Sequence, residues 1–207
     1  MSNNRVQSTY LELSNSPSDI NEHLPTLSRY ASECESAFET GVRGCISSWA
    51  LLHGLLLNNS SSTKKLFMND ITACDIGSIV EVSRELPIVL EYEWINNLEL
   101  NLSETFDLTF IDTWHVYGQL KRELAKFAPI TNKYIIMHDT TVDEWYGETI
   151  RCGSDAHVQS LLSGIPVDEI NRGLWPAIVE FLAANQDWVL HERFTNNNGL
   201  TILRKVH

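Results

Sequence analysis

No apolar run in this chain approaches the 18 or more residues that a membrane span requires. The start, Met-Ser-Asn-Asn-Arg, lacks the apolar stretch of a secretory signal, so a cytoplasmic location is expected. Cysteine is sparse. Cys34, Cys45, Cys74 and Cys152 are scattered without CxxC spacing and read as four small hydrophobes in a reducing cytosol. Basic residues are few: 15 Lys and Arg face 27 Asp and Glu, a formal charge of −12. Such a surface repels phosphate backbones, and pairs such as Lys64-Lys65 and Lys121-Arg122 are too few to build a basic groove, so nucleic acid is not an expected partner. The dinucleotide fingerprint GxGxxG is missing, as is the Asn/Asp-Pro-Pro-Phe/Tyr motif of amino methylation. Internal repeats are absent, and only Asn58–Ser62 is of low complexity.

What is present is an alternation of short apolar runs and amphipathic segments over 207 residues, enough for one domain with a substantial core. Residues 1–17 are polar and expected to be loose, with the domain spanning 18–207. The pattern predicts helix 19–32, strand 35–42, helix 45–57, strand 64–70, helix 75–86 and strand 87–93. A short helical piece at 95–102 leads to strand 106–112, helix 115–127 and strand 133–139. Alternation at this spacing predicts βαβ units, a mostly parallel sheet and right-handed crossovers. Residues 140–172 are long and irregular and read as a lid or acceptor loop. Helix 173–185 follows, and Asn198-Gly199 between two strand-like runs predicts a closing antiparallel hairpin.

Two strand ends carry the chemistry. Phe-Ile-Asp-Thr-Trp-His at 110–115 and Ile-Ile-Met-His-Asp-Thr at 135–140 are apolar runs that stop abruptly at an acid, one crossover apart. In a parallel sheet Asp112 and Asp139 then emerge side by side at the carboxyl edge, where open α/β sheets bind ligands. Each acid also suits the cap of a following helix. At the first strand, Glu39-Thr-Gly41-Val-Arg43-Gly44 allows a tight turn and a close backbone approach before a helix N-terminus, although an ordinary strand-to-helix turn needs the same glycines. Asp70 ends the second strand, where a carboxylate can accept both hydroxyls of a ribose or cap a helix. Trp94 follows the third strand and suits either adenine stacking or the core.

Glu39-x-Gly41-x-Arg43-Gly44, Asp70, Phe-Ile-Asp112 and His138-Asp139, in this order, resemble class I S-adenosylmethionine-dependent methyltransferases. The branch they are most similar to contains cephalosporin-hydroxylase-like proteins and macrolide or aminocoumarin sugar O-methyltransferases. Gly-Leu-Trp-Pro-Ala-Ile-Val-Glu-Phe-Leu at 173–182 looks like that branch too. Similar domains occur in glycan-building proteins of large algal viruses, where the acceptor is a deoxysugar such as rhamnose. The resemblance runs from about residue 18 to the end. It implies a Rossmann-like, doubly wound sheet of seven strands, mostly parallel with an antiparallel C-terminal hairpin strand. It implies S-adenosylmethionine as cofactor, held by Glu39, Gly41, Arg43, Gly44, Ser47, Asp70, Trp94 and Asp112. It also implies a divalent cation, manganese or magnesium, on Asp112, His138 and Asp139. His138 departs from the family pattern, which has a carboxylate there; an imidazole softens the site toward manganese.

The activity implied is O-methylation of a small hydroxylated acceptor, a sugar or glycan. Association or fusion with glycosyltransferase domains is implied as well. His115, three residues beyond Asp112, is the candidate base, with Asp112 and Asp139 completing the catalytic set; an imidazole pKa near 6.5 suits proton transfer at neutrality. The competing reading of His115 is a half-buried helix histidine bonded to Asp112. Trp114, Trp145 and Tyr146 suit an acceptor pocket as well as a core. A fold that binds the nucleoside without catalysis is the alternative function.

Overall fold

The computed structural model describes residues 2–206. Its centre is a seven-stranded sheet made of β1 (Ser36–Thr40), β2 (Lys64–Asp70), β3 (Ile88–Trp94), β4 (Phe106–Ile111), β5 (Thr131–His138), β6 (Trp188–Phe194) and β7 (Leu200–Lys205). The strand order is 3-2-1-4-5-7-6. The first five strands are parallel and β7 runs antiparallel to both β5 and β6. This is the doubly wound, Rossmann-like sheet with the antiparallel closing hairpin that the sequence predicts.

Among the described residues nine α-helices surround it: α1 (Ser2–Asn15), α2 (Leu24–Ala31), α3 (Ile46–Leu57), α4 (Gly77–Ser83), α5 (Tyr117–Phe127), α6 (Glu148–Arg151), α7 (Ala156–Ser163), α8 (Val167–Asn171) and α9 (Leu174–Ala184). Successive side chains along a strand point to opposite faces, so each strand feeds two cores. Ala37, Leu66, Met68 and Ile136 pack with α1, α2, α3 and α4. Phe38, Phe67, Ile135 and Met137 pack with α5 and α9. The helices on both faces leave the carboxyl edge of the parallel strands free for a site.

The N-terminus departs from expectation. Residues 1–17 read as loose, yet Ser2–Asn15 form α1. Val6 is buried, and Tyr10 stacks on His53 of α3 with ring centroids 4.1 Å apart. A polar helix with one buried apolar residue has almost no periodic signal, and tertiary packing rather than propensity holds it. The helical piece expected at 95–102 is a run of turns, closed by the Glu99 and Leu100 N–H groups on the Asn96 carbonyl. Segment 140–172 is irregular in path but carries the three short helices α6, α7 and α8. Among the described residues no helix is long and apolar enough to cross a membrane.

One close contact fixes α2 against α3. A Cβ added at Gly54 would lie 2.2 Å from the Ser28 carbonyl oxygen and 2.6 Å from the Ala31 Cβ. Helix propensity alone favours alanine here by about 1 kcal/mol, whereas forcing an atom into a packed contact costs about 1–3 kcal/mol. Overpacking is the larger effect because the obstacle is backbone. Gly54→Ala should therefore lower unfolding free energy by about 1–2 kcal/mol in urea titrations without changing the m-value.

Candidate active site

At the end of β1 the chain turns so sharply that Gly41 adopts φ +92°, followed by left-handed Arg43 (φ 44°) and Cys45 (φ 60°) before α3 begins. The backbone of β4 passes close by: the Asp112 N–H donates to the Thr40 carbonyl at 2.9 Å, and a Cβ on Gly41 would sit 1.8 Å from the Asp112 carbonyl oxygen. The turn is braced from β2. One Asp70 oxygen accepts the N–H groups of Val42 and Arg43 at 2.9 Å each; the other accepts the Thr72 N–H and hydroxyl at 2.8 Å. Burial pushes the Asp70 pKa up, but these donors prevail and hold it below the usual carboxylate range. Because four donors already occupy its acceptor sites, any further hydroxyl reaching Asp70 would share an oxygen with donors of the chain itself.

Glu39 and Trp94 lie elsewhere than the resemblance implies. Glu39 is fully buried under the turn, accepting the Ser47 and Ser48 hydroxyls at 2.5 Å each, and does not line the cleft. Burial pushes its pKa up to about 7, against the two hydroxyl hydrogen bonds. Trp94 is also outside the cleft lining, 64% exposed, with its indole N–H on the Ile71 carbonyl. An apolar ring at a strand end gives no sign of which way it turns, and here the chain carries Ile71, Asn96 and Asn97 to the cleft instead. Gly41, Arg43, Gly44, Ser47, Asp70 and Asp112 do line one cavity of about 670 Å³. Arg43 reaches back from it to Asp19, with 2.6 Å between Nη2 and Oδ2.

The opposite wall gathers the strand-end acids. Ile111 of β4 pairs with Met137 of β5, so Asp112 and Asp139 emerge together, Asp139 at a left-handed φ of 57°. His138 Nδ1 lies 3.4 Å from Asp112 and 3.2 Å from Asp139. Its Nε2 is 3.1 Å from the Asn197 carbonyl, a pure acceptor, so the proton on that nitrogen is fixed. His115 Nε2 lies 3.3 Å from Asp112 and 3.0 Å from Asp139, and its Nδ1 lies 3.2 Å from Asp143.

Charge here is mutual. Burial opposes ionisation, but the imidazoles hold Asp112 well below the carboxylate range. Burial likewise lowers the histidines, yet the acids prevail, raising His138 to about 10 and His115 well above its ordinary value. Both Nδ1 atoms are buried without a hydrogen bond among the described residues.

With Nε2 protonated, His138 Nδ1 needs a proton or a cation facing the two carboxylates. The ligand atoms of Asp112, His138 and Asp139 lie within 4.8 Å of one another, as do those of His115, Asp139 and Asp143. One imidazole, two carboxylates and a backbone carbonyl orienting the ring make a donor set that fits a manganese-like cation.

Sequence reasoning missed Asp143, Glu148 and Arg151. Asp143 is fully buried, and the Asp139 carbonyl accepts its N–H at 3.1 Å, so the i, i+4 spacing from Asp139 was an available signal. The Glu148 carboxylate accepts the His115 backbone N–H, and Arg151 grips Asp143. Trp114 lines the cleft, whereas Trp145 and Tyr146 are exposed outside its lining.

No protein-family model matches this sequence, and no curated protein does. Solved structures do. An O-methyltransferase from Bacillus cereus in complex with S-adenosylhomocysteine is 16% identical with a TM-score of 0.58, over 99% of this chain and 90% of that one. N-methyltransferase NodS from Bradyrhizobium japonicum WM9 gives 14%, 0.57, 91% and 97%. The O-methyltransferase TomG from Streptomyces achromogenes, in complex with S-adenosylmethionine, gives 11%, 0.57, 100% and 90%. At these identities the likeness establishes a shared Rossmann-like methyltransferase fold.

The buried Glu39 gives a pH signature. Its pKa rises from 4.5 to about 7 on folding, so the native state binds the proton more tightly and the cost of ionising it grows as pH rises through that window. A shift of this size corresponds to about 3 kcal/mol. Glu39→Gln should remove that slope: the difference in urea-unfolding free energy between variant and wild type should move in the variant's favour by about 2–3 kcal/mol from pH 4.5 to pH 8.

Proposed function

We propose that this protein is an S-adenosylmethionine-dependent O-methyltransferase for a small hydroxylated acceptor, with a sugar hydroxyl as the leading candidate. One observation carries the reading: a single cavity has the glycine turn of β1 on one wall and the Asp112–His115–Asp139 constellation on the other. A cavity of about 670 Å³ is in the range of small-molecule sites. In this reading Gly41 and Gly44 admit the methionine portion of the nucleoside, Ser47 and Asp112 lie alongside it, and Asp70 braces the turn while facing the ribose.

The sulfonium supplies an activated methyl group, and a cation on Asp112, His138 and Asp139 would supply a Lewis acid for the acceptor hydroxyl. The chain's own residues do the rest. The rigid turn and the two strand ends fix the approach of acceptor oxygen to methyl carbon, and such alignment is worth about 7–11 kcal/mol at near-attack geometry. His115 stands at the cleft wall between Asp112, Asp139 and Asp143, whose charges favour its protonated form; with those charges answered by a cation on Asp112 and Asp139, the neutral imidazole is favoured, the form that can receive the hydroxyl proton as the acceptor attacks.

A second reading has a specific observation behind it. The two imidazoles and the surrounding acids already compensate one another's charge, as a fold that binds the nucleoside without turning it over would allow. Titration calorimetry with S-adenosylhomocysteine and manganese separates the two. The enzyme reading expects nucleoside binding, at least tenfold weaker in Asp70→Ala. It also expects manganese at about 100 times its Kd to stabilise the protein by about 2.7 kcal/mol, an effect lost in Asp139→Ala. His115→Ala should lower turnover about 10²–10⁴-fold with nucleoside affinity intact. Failure of the wild type to bind S-adenosylhomocysteine would refute both readings.

A further inference from the structure

On the acceptor side of the cleft, one side chain is held in place and still has hydrogen-bonding capacity left over. Arg151 donates from Nε to Asp143 Oδ1 at 2.7 Å and from Nη2 to Asp143 Oδ2 at 2.8 Å. Asp143 is itself fully buried and anchored through its backbone, its N–H on the Asp139 carbonyl and its own carbonyl accepting the Leu174 N–H. A guanidinium offers five N–H donors in a planar fork, and this bidentate pair engages one edge. The remaining donors meet no acceptor among the described residues, and the side chain, 42% exposed, lines the cleft with Trp114, His115, Glu148 and Leu162.

The neighbouring charges are otherwise answered. Asp112 and Asp139 face His115 and His138, the Glu148 carboxylate lies 3.5 Å from His115 Nδ1 and accepts that residue's backbone N–H, and Arg43 is paired with Asp19. What this wall still offers a ligand is a cationic, planar pair of donors, already ordered before anything binds.

We infer that Arg151 determines acceptor specificity, and that the acceptor carries an anionic group, carboxylate or phosphate, near the hydroxyl that is methylated. This rests on the methyl-transfer reading of the cleft. A planar fork immobilised by Asp143 binds a carboxylate or phosphate with little further loss of freedom. If Arg151 served only to neutralise Asp143, the edge already engaged would suffice, and its replacement would weaken charged and uncharged acceptors alike.

The test is calorimetry on the full chain, free and loaded with S-adenosylhomocysteine, using matched probes: glucuronate and glucose 1-phosphate against glucose, and 3,4-dihydroxybenzoate against catechol. At least one anionic member should bind about tenfold or more tightly than its neutral partner, the factor one charge-assisted hydrogen bond supplies. That preference should vanish in Arg151→Gln and survive in part in Arg151→Lys, with S-adenosylhomocysteine affinity of both variants within about twofold of wild type as the check on folding. A preference for the glucose phosphate over the carboxylates would identify phosphate as the group. Equal binding of charged and neutral members, or a preference that persists in Arg151→Gln, would overturn the inference. Absence of S-adenosylhomocysteine binding with an Arg151-dependent anion preference would sink the methyl-transfer reading alone.

Discussion

Charge balance at one end of the sheet governs this molecule. Parallel pairing of β4 with β5 brings Asp112 and Asp139 together, and the turn after β5 adds Asp143, so three carboxylates sit in a largely buried space. Several buried carboxylates so close together are tolerated when positive charge lies between them. His115 and His138 provide it from the two strand-end segments, and Arg151 provides it from outside. The imidazoles are set by their surroundings: His138 is oriented by a carbonyl of the β6–β7 turn, and His115 is surrounded by acids on both ring nitrogens. Nothing in this arrangement can shift alone, because moving one acid leaves a buried opposite charge unanswered.

The other side of the cleft is set by sterics instead. The backbone of Asp112 comes so near Gly41 that no side chain fits between them, so the turn after β1 and the acid after β4 occupy one rigid unit. Asp70 completes it by holding two N–H groups of the turn. The result places the glycine turn and the cluster of acids and imidazoles at a separation fixed by strand pairing.

The fold and half the site were legible in the sequence because both rest on patterns that local chemistry imposes. A parallel strand buried on both faces is an apolar run, and it ends visibly where a charged residue appears, which is why Asp70, Asp112 and Asp139 could be placed at strand ends. The Asn-Gly hairpin is equally local, and Asn197, Asn198 and Gly199 all adopt positive φ. What the sequence hid depends on side-chain direction or on packing between distant segments. Glu39 turns under its loop to Ser47 and Ser48 rather than into the cleft, and Trp94 turns outward. Helix α1 owes its existence to partners in α3 and α4. Asp143, Glu148 and Arg151 belong to a segment without periodicity, where residue type alone does not tell a site residue from a solvated one.

The β6–β7 hairpin has a role larger than closing the sheet. Asn197 accepts from His138 and His23 through its carbonyl, while its side chain bonds the Ser18 carbonyl and the Glu22 N–H. Strand β7, the last in sequence, also fills the place between β5 and β6. During synthesis the edge of β5 must therefore wait, unpaired, until residues 200–205 emerge. A nascent chain can assemble its five parallel strands first, but the imidazole beside Asp139 acquires its orienting carbonyl only after Asn197 has been made, so the cluster at the carboxyl edge is locked later than the sheet that carries it.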